Sequence, residues 1–215
     1  MDIVSNMRSL YGRPERKSSI PISNNTHLRI DLTREDGVIE AFAKLWGTDK
    51  LLVSFDGMNF TLPSGTTLPQ TQPWPHIDQS PLREGMQCVQ GILNFAPNSP
   101  QDGGLLVMKG STKLMPEFFK THSGTTGRET WGPSDWFGFD EGEVKWFEER
   151  GCEIHKVTAE AGDLILWDSR TMHFNCVPST QNVRAVVCEY SSSIQVVSLS
   201  NCHRCMLYTS FLCNS

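Results

Sequence analysis

A histidine and an aspartate stand two residues apart in the stretch WPHIDQSP, which covers residues 74–81. In a β-strand, alternate side chains project from the same face, so His76 and Asp78 could point together at one ion while Ile77 points away. Imidazole and carboxylate are the ligand types of the two-histidine, one-carboxylate sites that hold Fe(II). An ordinary strand end with two polar residues would have the same spacing, so the triplet by itself leaves both interpretations open.

A site of this kind needs a second histidine from a strand that faces the triplet. The sequence offers four downstream candidates: His122, His155, His173 and His203. His173 is the best placed, because it ends a strand that opens at the turn AGD and shares a predicted hairpin with Arg184, eleven residues further on. An arginine on a neighbouring strand can pair with a carboxylate through two parallel hydrogen bonds. A dicarboxylate co-substrate bound to the metal through its other end would need such a partner.

Two amides near these residues are further candidates for contacts in the same cavity. Gln90 lies in the strand pattern MQCVQGILNF, where its face would also carry Cys88 and Asn94. This face is polar for a core, as expected of a strand that lines a polar cavity, although a solvent-facing side would show the same pattern. Asn175 follows His173 by two residues and would share its face. Gln90 and Asn175 are therefore candidate co-substrate contacts, with ordinary hydrogen bonding of a buried amide as the alternative.

The elements that must position these side chains can be predicted from the sequence. It contains strand patterns, turn-rich links and two helical segments. Periodicity predicts one amphipathic helix over residues 31–46, ended by Gly47, and a second over residues 134–150. Alternation predicts a strand at 86–95 and a hairpin formed by AGDLILWDSRTMHF and VRAVVCEY. These elements predict a mainly β protein with flanking helices, in which two sheets form a β-roll.

Four aromatic side chains near the candidate ligands have structural interpretations. Trp74 and Trp167 flank the proposed ligands, and we expect both to pack in the core. Phe137 and Phe139 could belong to a lid over the site, with packing against a surface helix as the alternative.

Composition describes an acidic protein of one domain, without the basic tract that a nucleic-acid partner would require. The 215 residues suit one domain with a real core, and 19 basic against 24 acidic residues give a formal charge of -5. No apolar run approaches the ~18–20 residues that span a bilayer, and the N-terminus lacks the apolar core of a secretory signal. Seven scattered cysteines favour reduced thiols over a disulfide framework. We therefore expect a cytoplasmic protein without a membrane span.

The sequence resembles the phytanoyl-CoA dioxygenase (PhyH) family in three stretches that occur in order. They are WPHIDQSP, GILNFAPNSPQDGGLLVMKGSTK, and AGDLILWDSRTMHF followed by VRAVVCEY. The family comprises Fe(II)- and 2-oxoglutarate-dependent oxygenases, and the resemblance extends over roughly residues 35–190. It implies a double-stranded β-helix, a jelly roll of the cupin type, with iron held by His76, Asp78 and His173. It also implies that Arg184 binds the distal carboxylate of 2-oxoglutarate.

The resemblance further implies a reaction that consumes molecular oxygen and 2-oxoglutarate and releases succinate and carbon dioxide. Hydroxylation or another oxidation of a small organic molecule is the expected outcome, and ascorbate is a candidate reductant for the iron. Asp78 bears on this choice, because related halogenases replace the carboxylate with a small residue so that a halide can bind. Its presence argues against halogenation.

The ends of the chain depart from the family pattern. Residues 1–28 are polar and interrupted by prolines, so we expect a loosely ordered arm before a dioxygenase domain at 29–190. Residues 191–215 form an atypical tail, dense in serine and cysteine, which suggests a truncated or alternatively spliced form. An alternative function is therefore a catalytically impaired β-roll that binds a metal or ligand without turnover. A cupin-like enzyme that uses a metal without 2-oxoglutarate is a further alternative, which would leave Arg184 without a role.

Overall fold

The computed structural model describes residues 5–7, 36–53, 57–63, 73–122 and 136–193. Within these ranges the chain forms eleven strands and three helices. The mainly β architecture with flanking helices that the sequence predicts is confirmed.

Three helices flank the strands: α1 (Asp36–Trp46), α2 (Ser111–His122) and α3 (Glu141–Glu148). α1 confirms the first predicted helix within the described residues, and its Phe42 is fully buried. The helix ends before Gly47, whose φ of 67° is a conformation that other residues rarely adopt. The helix predicted over 134–150 is shorter than expected, because α3 begins only after a capping box formed by Asp140 and Glu143.

Six strands form the first sheet, and every pairing in it is antiparallel. They are β1 (Ser5–Met7), β2 (Leu51–Val53), β3 (Gly57–Thr61), β5 (Val89–Asn94), β9 (Leu164–Asp168) and β11 (Arg184–Ser193). β5 is central, because β9 pairs along one of its edges and β11 along the other. β1 extends the sheet beyond β9, while β2 and β3 both pair with β11.

Five strands form the second sheet, which is also antiparallel throughout. They are β4 (His76–Ile77), β6 (Gly104–Lys109), β7 (Phe137–Gly138), β8 (Glu153–Lys156) and β10 (His173–Cys176). The strands lie in the order β7-β4-β10-β6-β8. Two antiparallel sheets joined by repeated crossings are the jelly-roll arrangement that the sequence predicts.

The predicted hairpin between AGDLILWDSRTMHF and VRAVVCEY is wrong. β9 and β11 are separated by β5 within the first sheet, while β10 lies in the second sheet. The chain therefore crosses between sheets after β9 and again before β11. Strand patterns and connection lengths are the same for a hairpin and for such a crossing, because alternation reports only which residues are buried.

The main core lies between the two sheets and contains apolar side chains from both. Its buried members are Ile92, Leu105, Val107, Val157, Ala159, Ile165, Trp167 and Val186. A second cluster packs α2 and α3 against the second sheet, and a third packs α1 against β5 and β9. The polar face of β5 is turned inward, since Gln90 and Asn94 are buried along with Ile92. The solvent-facing interpretation of that face is therefore wrong.

Two described segments extend into the regions that the sequence sets apart as arm and tail. Ser5–Met7 form β1 beside β9, and β11 continues to Ser193. The rest of both regions lies outside the described residues. None of the three described helices has the length and apolar character needed to cross a membrane.

We expect Phe118→Ala to lower the free energy of unfolding by about 3–5 kcal/mol, because it would empty the centre of the α2–α3 cluster. Phe118 is fully buried and makes ring contacts with Phe137 and Phe147, among others. Urea denaturation followed by circular dichroism measures the change. Leu82→Ala is the control, since Leu82 is 68% exposed and should change stability by less than ~0.5 kcal/mol. Equal stability of Phe118→Ala and the wild type would contradict this packing.

Candidate metal centre

Two neighbouring strands of the second sheet bring the candidate histidines together. His76 on β4 and His173 on β10 are direct cross-strand partners, and their ring centroids lie 4.3 Å apart. Directly opposed residues of an antiparallel pair project to the same side of the sheet, so sheet pairing alone aligns the two imidazoles. The backbone N–H of Asp78 donates to the carbonyl of Ser169 at 2.9 Å, which holds the aspartate just beyond the end of β4.

The three side chains form one compact cluster that could hold a metal ion. Asp78 lies between the rings, with Oδ1 3.8 Å from His76 Nε2 and Oδ2 3.4 Å from His173 Nε2. One ligand atom from each residue lies within 4.8 Å of the others, and no second cluster of this kind occurs among the described residues. His76 Nε2 is buried without a hydrogen-bond partner in that part of the chain. Two imidazoles and one carboxylate, with one imidazole nitrogen left without a partner, fit the ligand set of an Fe(II) site.

Hydrogen bonds to backbone carbonyls determine which nitrogen of each ring faces the cluster. His76 Nδ1 lies 2.7 Å from the carbonyl of Trp74, and His173 Nδ1 lies 3.0 Å from the carbonyl of Thr171. A carbonyl oxygen can only accept, so both Nδ1 atoms must donate a proton. The other ring nitrogen, Nε2, then faces Asp78 in both histidines, which is the orientation that a metal ligand needs.

The electrostatics of the cluster favour the protonation states that bind a cation. Burial, and next the positive charge that His173 can carry, lower the pKa of His76 to about 4. Burial opposes the ionised form of Asp78, but hydrogen bonding and charge from His173, with help from His76 and Gln90, still keep its pKa below the usual range. At neutral pH, the imidazole of His76 is therefore uncharged and the carboxylate of Asp78 is ionised. Neither residue would therefore have to release a proton when a metal binds.

The two candidate amides differ in position. Gln90 reaches across from the first sheet and donates from Nε2 to Asp78 Oδ2 at 2.6 Å, while its Oε1 is buried without a partner among the described residues. Gln90 therefore holds Oδ2 of Asp78 in place, while Oδ1 faces His76. Asn175 lies two residues beyond His173 on β10, but its side chain is exposed. The structure joins Gln90 to the cluster by a contact and gives Asn175 no such contact.

Arg184 begins β11 and is only 6% exposed. Its Nε is buried with no partner in the described part of the chain, and burial lowers the pKa of its guanidinium. A second cation, Lys156 at the end of β8, lies beside it next to Gly104. Sequence reasoning missed Lys156, because it ends the short, largely exposed strand EIHK and no motif marks it.

The tryptophans near the ligands occupy different environments. Trp167 is 5% exposed within the main core and makes an edge contact with the ring of His173, so its predicted packing role is confirmed. The same prediction for Trp74 is wrong, because this side chain is 44% exposed and stacks on the ring of His76 at 4.3 Å. Prolines on both sides of Trp74 favour an extended backbone there, which directs its carbonyl to His76 and its indole over the ring.

The remaining candidates have structural positions. Phe137 and Phe139 are buried in the cluster under α2 and α3, so the packing interpretation replaces the lid. His122 stacks on Phe118 at the end of α2, and His155 is exposed on β8. His203 lies outside the described residues.

Ile77 points away from the cluster into the apolar layer beneath the helices. On that side of β4 it also lines a cavity of about 420 Å³, bordered by Met115 and Arg170. The predicted alternation across the triplet is therefore present, with the candidate ligands on one face and Ile77 on the other.

The fold and the cluster together define a double-stranded β-helix protein with a candidate two-histidine, one-carboxylate metal centre. The sequence matches the phytanoyl-CoA dioxygenase (PhyH) family over residues 21–175. It is 48% identical over 152 residues to Ava biosynthesis cluster protein O of Aspergillus versicolor, a match that covers 70% of this chain and 49% of that protein. The chain belongs to the phytanoyl-CoA dioxygenase family. It spans about half the length of this curated relative.

Solved structures share the fold at low sequence identity. EctD from S. alaskensis with 2-oxoglutarate and 5-hydroxyectoine superposes with a TM-score of 0.53 at 16% identity, over 76% of this chain and 51% of that one. AviO1 from Streptomyces viridochromogenes Tue57 gives a TM-score of 0.52 at 12% identity, over 86% of this chain and 73% of that one. At such identities the likeness establishes the fold, and the chemistry must be argued from the site.

We expect Gln90→Leu to weaken Fe(II) binding about 10- to 100-fold, because Asp78 would lose the hydrogen bond that orients it. Anaerobic titration with Fe(II), followed by calorimetry, measures the affinity. Asn175→Ala is the matched control: its amide is exposed on the strand of His173, and we expect unchanged affinity. Equal losses in both variants would mean that Gln90 has no specific part in orienting Asp78.

Proposed function

We propose that this chain is an Fe(II)- and 2-oxoglutarate-dependent dioxygenase that oxidises a small organic molecule with molecular oxygen and releases succinate and carbon dioxide. The observation that carries the proposal is the cluster of His76, Asp78 and His173, in which both histidines turn Nε2 towards one carboxylate. Three ligands on one side of an ion leave its remaining positions open for a chelating co-substrate and oxygen.

His76, Asp78 and His173 would hold the iron. Bound Fe(II) would supply the redox chemistry that couples oxidative decarboxylation of 2-oxoglutarate to oxidation of a C–H bond. The chain's own residues supply the setting: the Trp74 and Thr171 carbonyls orient the rings, and Gln90 orients Asp78. Gln90 and Asn175 also remain candidate co-substrate contacts, Gln90 through its buried, unpaired Oε1.

Arg184 is the proposed partner for the distal carboxylate of 2-oxoglutarate. A buried guanidinium whose pKa is lowered by burial is stabilised by an incoming anion. No described carboxylate lies within 4.0 Å of it, so an anionic ligand would not displace an existing ion pair. A planar guanidinium can also bind a carboxylate through two parallel hydrogen bonds.

The proteins of similar fold support the cofactors by analogy. EctD has been crystallised with 2-oxoglutarate and, separately, with bound Fe, and SnoN with Fe3+ and alpha ketoglutarate. The fungal relative is a biosynthesis cluster protein, which agrees with a small-molecule substrate. The seven scattered cysteines agree with a reducing, cytoplasmic setting, in which ascorbate could keep the iron reduced. We propose no nucleic-acid partner.

We expect Arg184→Gln to weaken 2-oxoglutarate binding while leaving Fe(II) affinity unchanged. Removing one partner of a buried charge pair costs about 2–5 kcal/mol, which corresponds to a loss on the order of 30-fold to several thousandfold. Anaerobic titration of the Fe(II)-loaded protein, read from the visible charge-transfer band of the chelate, measures the affinity. An unchanged affinity for 2-oxoglutarate would remove Arg184 from the assignment.

Turnover is tested separately by succinate release in air. The wild-type chain should release succinate only when both Fe(II) and 2-oxoglutarate are present, and His173→Ala should release none. If the wild type binds both and releases no succinate, the chain is the non-catalytic β-roll that forms the alternative. If it uses Fe(II) and oxygen without 2-oxoglutarate, a cupin-like oxygenase replaces the proposal.

A further inference from the structure

We infer that Lys156 is a second cation of the co-substrate pocket, which positions the distal carboxylate together with Arg184 and makes the site selective for dicarboxylates. This inference rests on the proposed function, because it concerns the same site. Lys156 comes from β8, at the edge of the second sheet, whereas Arg184 comes from β11 in the first. The pocket would therefore be built where the two sheets approach each other.

Gly104 is the point where the two cations meet. A Cβ atom at this position would lie 3.0 Å from Arg184 Nε and 3.2 Å from Lys156 Nζ. Gly104 also has a φ of 138°, which an L side chain rarely adopts. A side chain at position 104 would collide with both cations, so the bare backbone of Gly104 is what lets the two positive groups lie side by side.

Neither cation is neutralised by a carboxylate in the described part of the chain. Lys156 Nζ donates to Asn98 Oδ1 at 2.6 Å, to the carbonyl of Val157 at 3.1 Å and to the carbonyl of Gly103 at 3.5 Å, all uncharged acceptors. Asp102 is near enough to raise the pKa of Lys156, but it is not within ion-pair distance.

The oxygens of Asp102 are already in use. Oδ1 accepts from Thr180 Oγ1 at 2.5 Å and from Asn182 Nδ2 at 3.0 Å, while Oδ2 accepts from the backbone of Ser99 at 2.7 Å. These bonds hold the pKa of Asp102 below its usual range and tie the carboxylate to its own loop through Ser99 and to the segment before β11 through Thr180 and Asn182. The carboxylate of Asp102 is therefore held by these donors and does not pair with either cation.

Two adjacent cations without a bound anion are unfavourable. Burial lowers the pKa of both groups, and the positive charge of Arg184 lowers the pKa of Lys156 further. A carboxylate between them would relieve this repulsion and accept charge-assisted hydrogen bonds from both. An uncharged chain end would leave the repulsion in place, so the pair should discriminate by charge more than by size.

Two 2-oxo acids of equal chain length test the inference. 2-Oxoglutarate and 2-oxopentanoate chelate Fe(II) through the same atoms and differ only in the distal carboxylate, which is a methyl group in the second. Anaerobic titration of the Fe(II)-loaded protein, read from the chelate band, gives a Kd for each. We expect Lys156→Gln to weaken 2-oxoglutarate about tenfold or more, the worth of a charge-assisted hydrogen bond, and to leave 2-oxopentanoate unchanged.

The choice of variants separates charge from structure. Lys156→Gln can still donate to Asn98, Lys156→Arg keeps the charge and should retain most of the selectivity, and the exposed Lys109→Gln is the matched control with no expected effect. Thermal melting of each variant reports any purely structural loss. If Lys156→Gln weakens both acids equally, or neither, Lys156 only tethers its loop and the inference fails. If the wild type binds no 2-oxoglutarate, the proposed function fails with it.

Discussion

The register between β4 and β10 is the constraint on which the candidate metal centre depends. Because His76 and His173 are cross-strand partners, a slip of one residue would turn a ligand to the opposite face of the sheet. Their neighbours Ile77 and Met172 are buried in the apolar layer under α2 and α3. The packing of this layer therefore fixes the register between β4 and β10. As a consequence, both histidines point towards Asp78.

Buried charge is the second organising feature, and it is distributed unevenly. The anion of Asp78 is surrounded by two histidines and Gln90, whereas Arg184 and Lys156 have no carboxylate at ion-pair distance among the described residues. Isolated buried charge is costly, so a chain that retains it at two points in one fold is suited to ligands of opposite sign. In the proposed function, iron would bind at the first point and the distal carboxylate of 2-oxoglutarate at the second.

Sequence patterns identified the elements better than their partners. Alternation located β5, β9, β10 and β11, and the polar residues of β5 pointed to an inward face that the structure contains. The proposed hairpin was wrong because the segments after β9 and before β11 cross between sheets, a choice made by packing of the whole roll. Trp74 was misplaced for a related reason: its apolar character predicts burial, but its position on His76 depends on strands that meet only in the folded chain.

The sequence by itself determined the family, the mainly β class and the three residues proposed as ligands. Alternation within a strand and the order of motifs can both be read along the chain without knowing which strands pair. Only the tertiary structure decided that Gln90 holds Asp78, that Asn175 is exposed and that Lys156 lies beside Arg184. These relations join residues from different sheets or distant strands. Their distances follow from how the sheets face each other, which no local pattern in one sequence records.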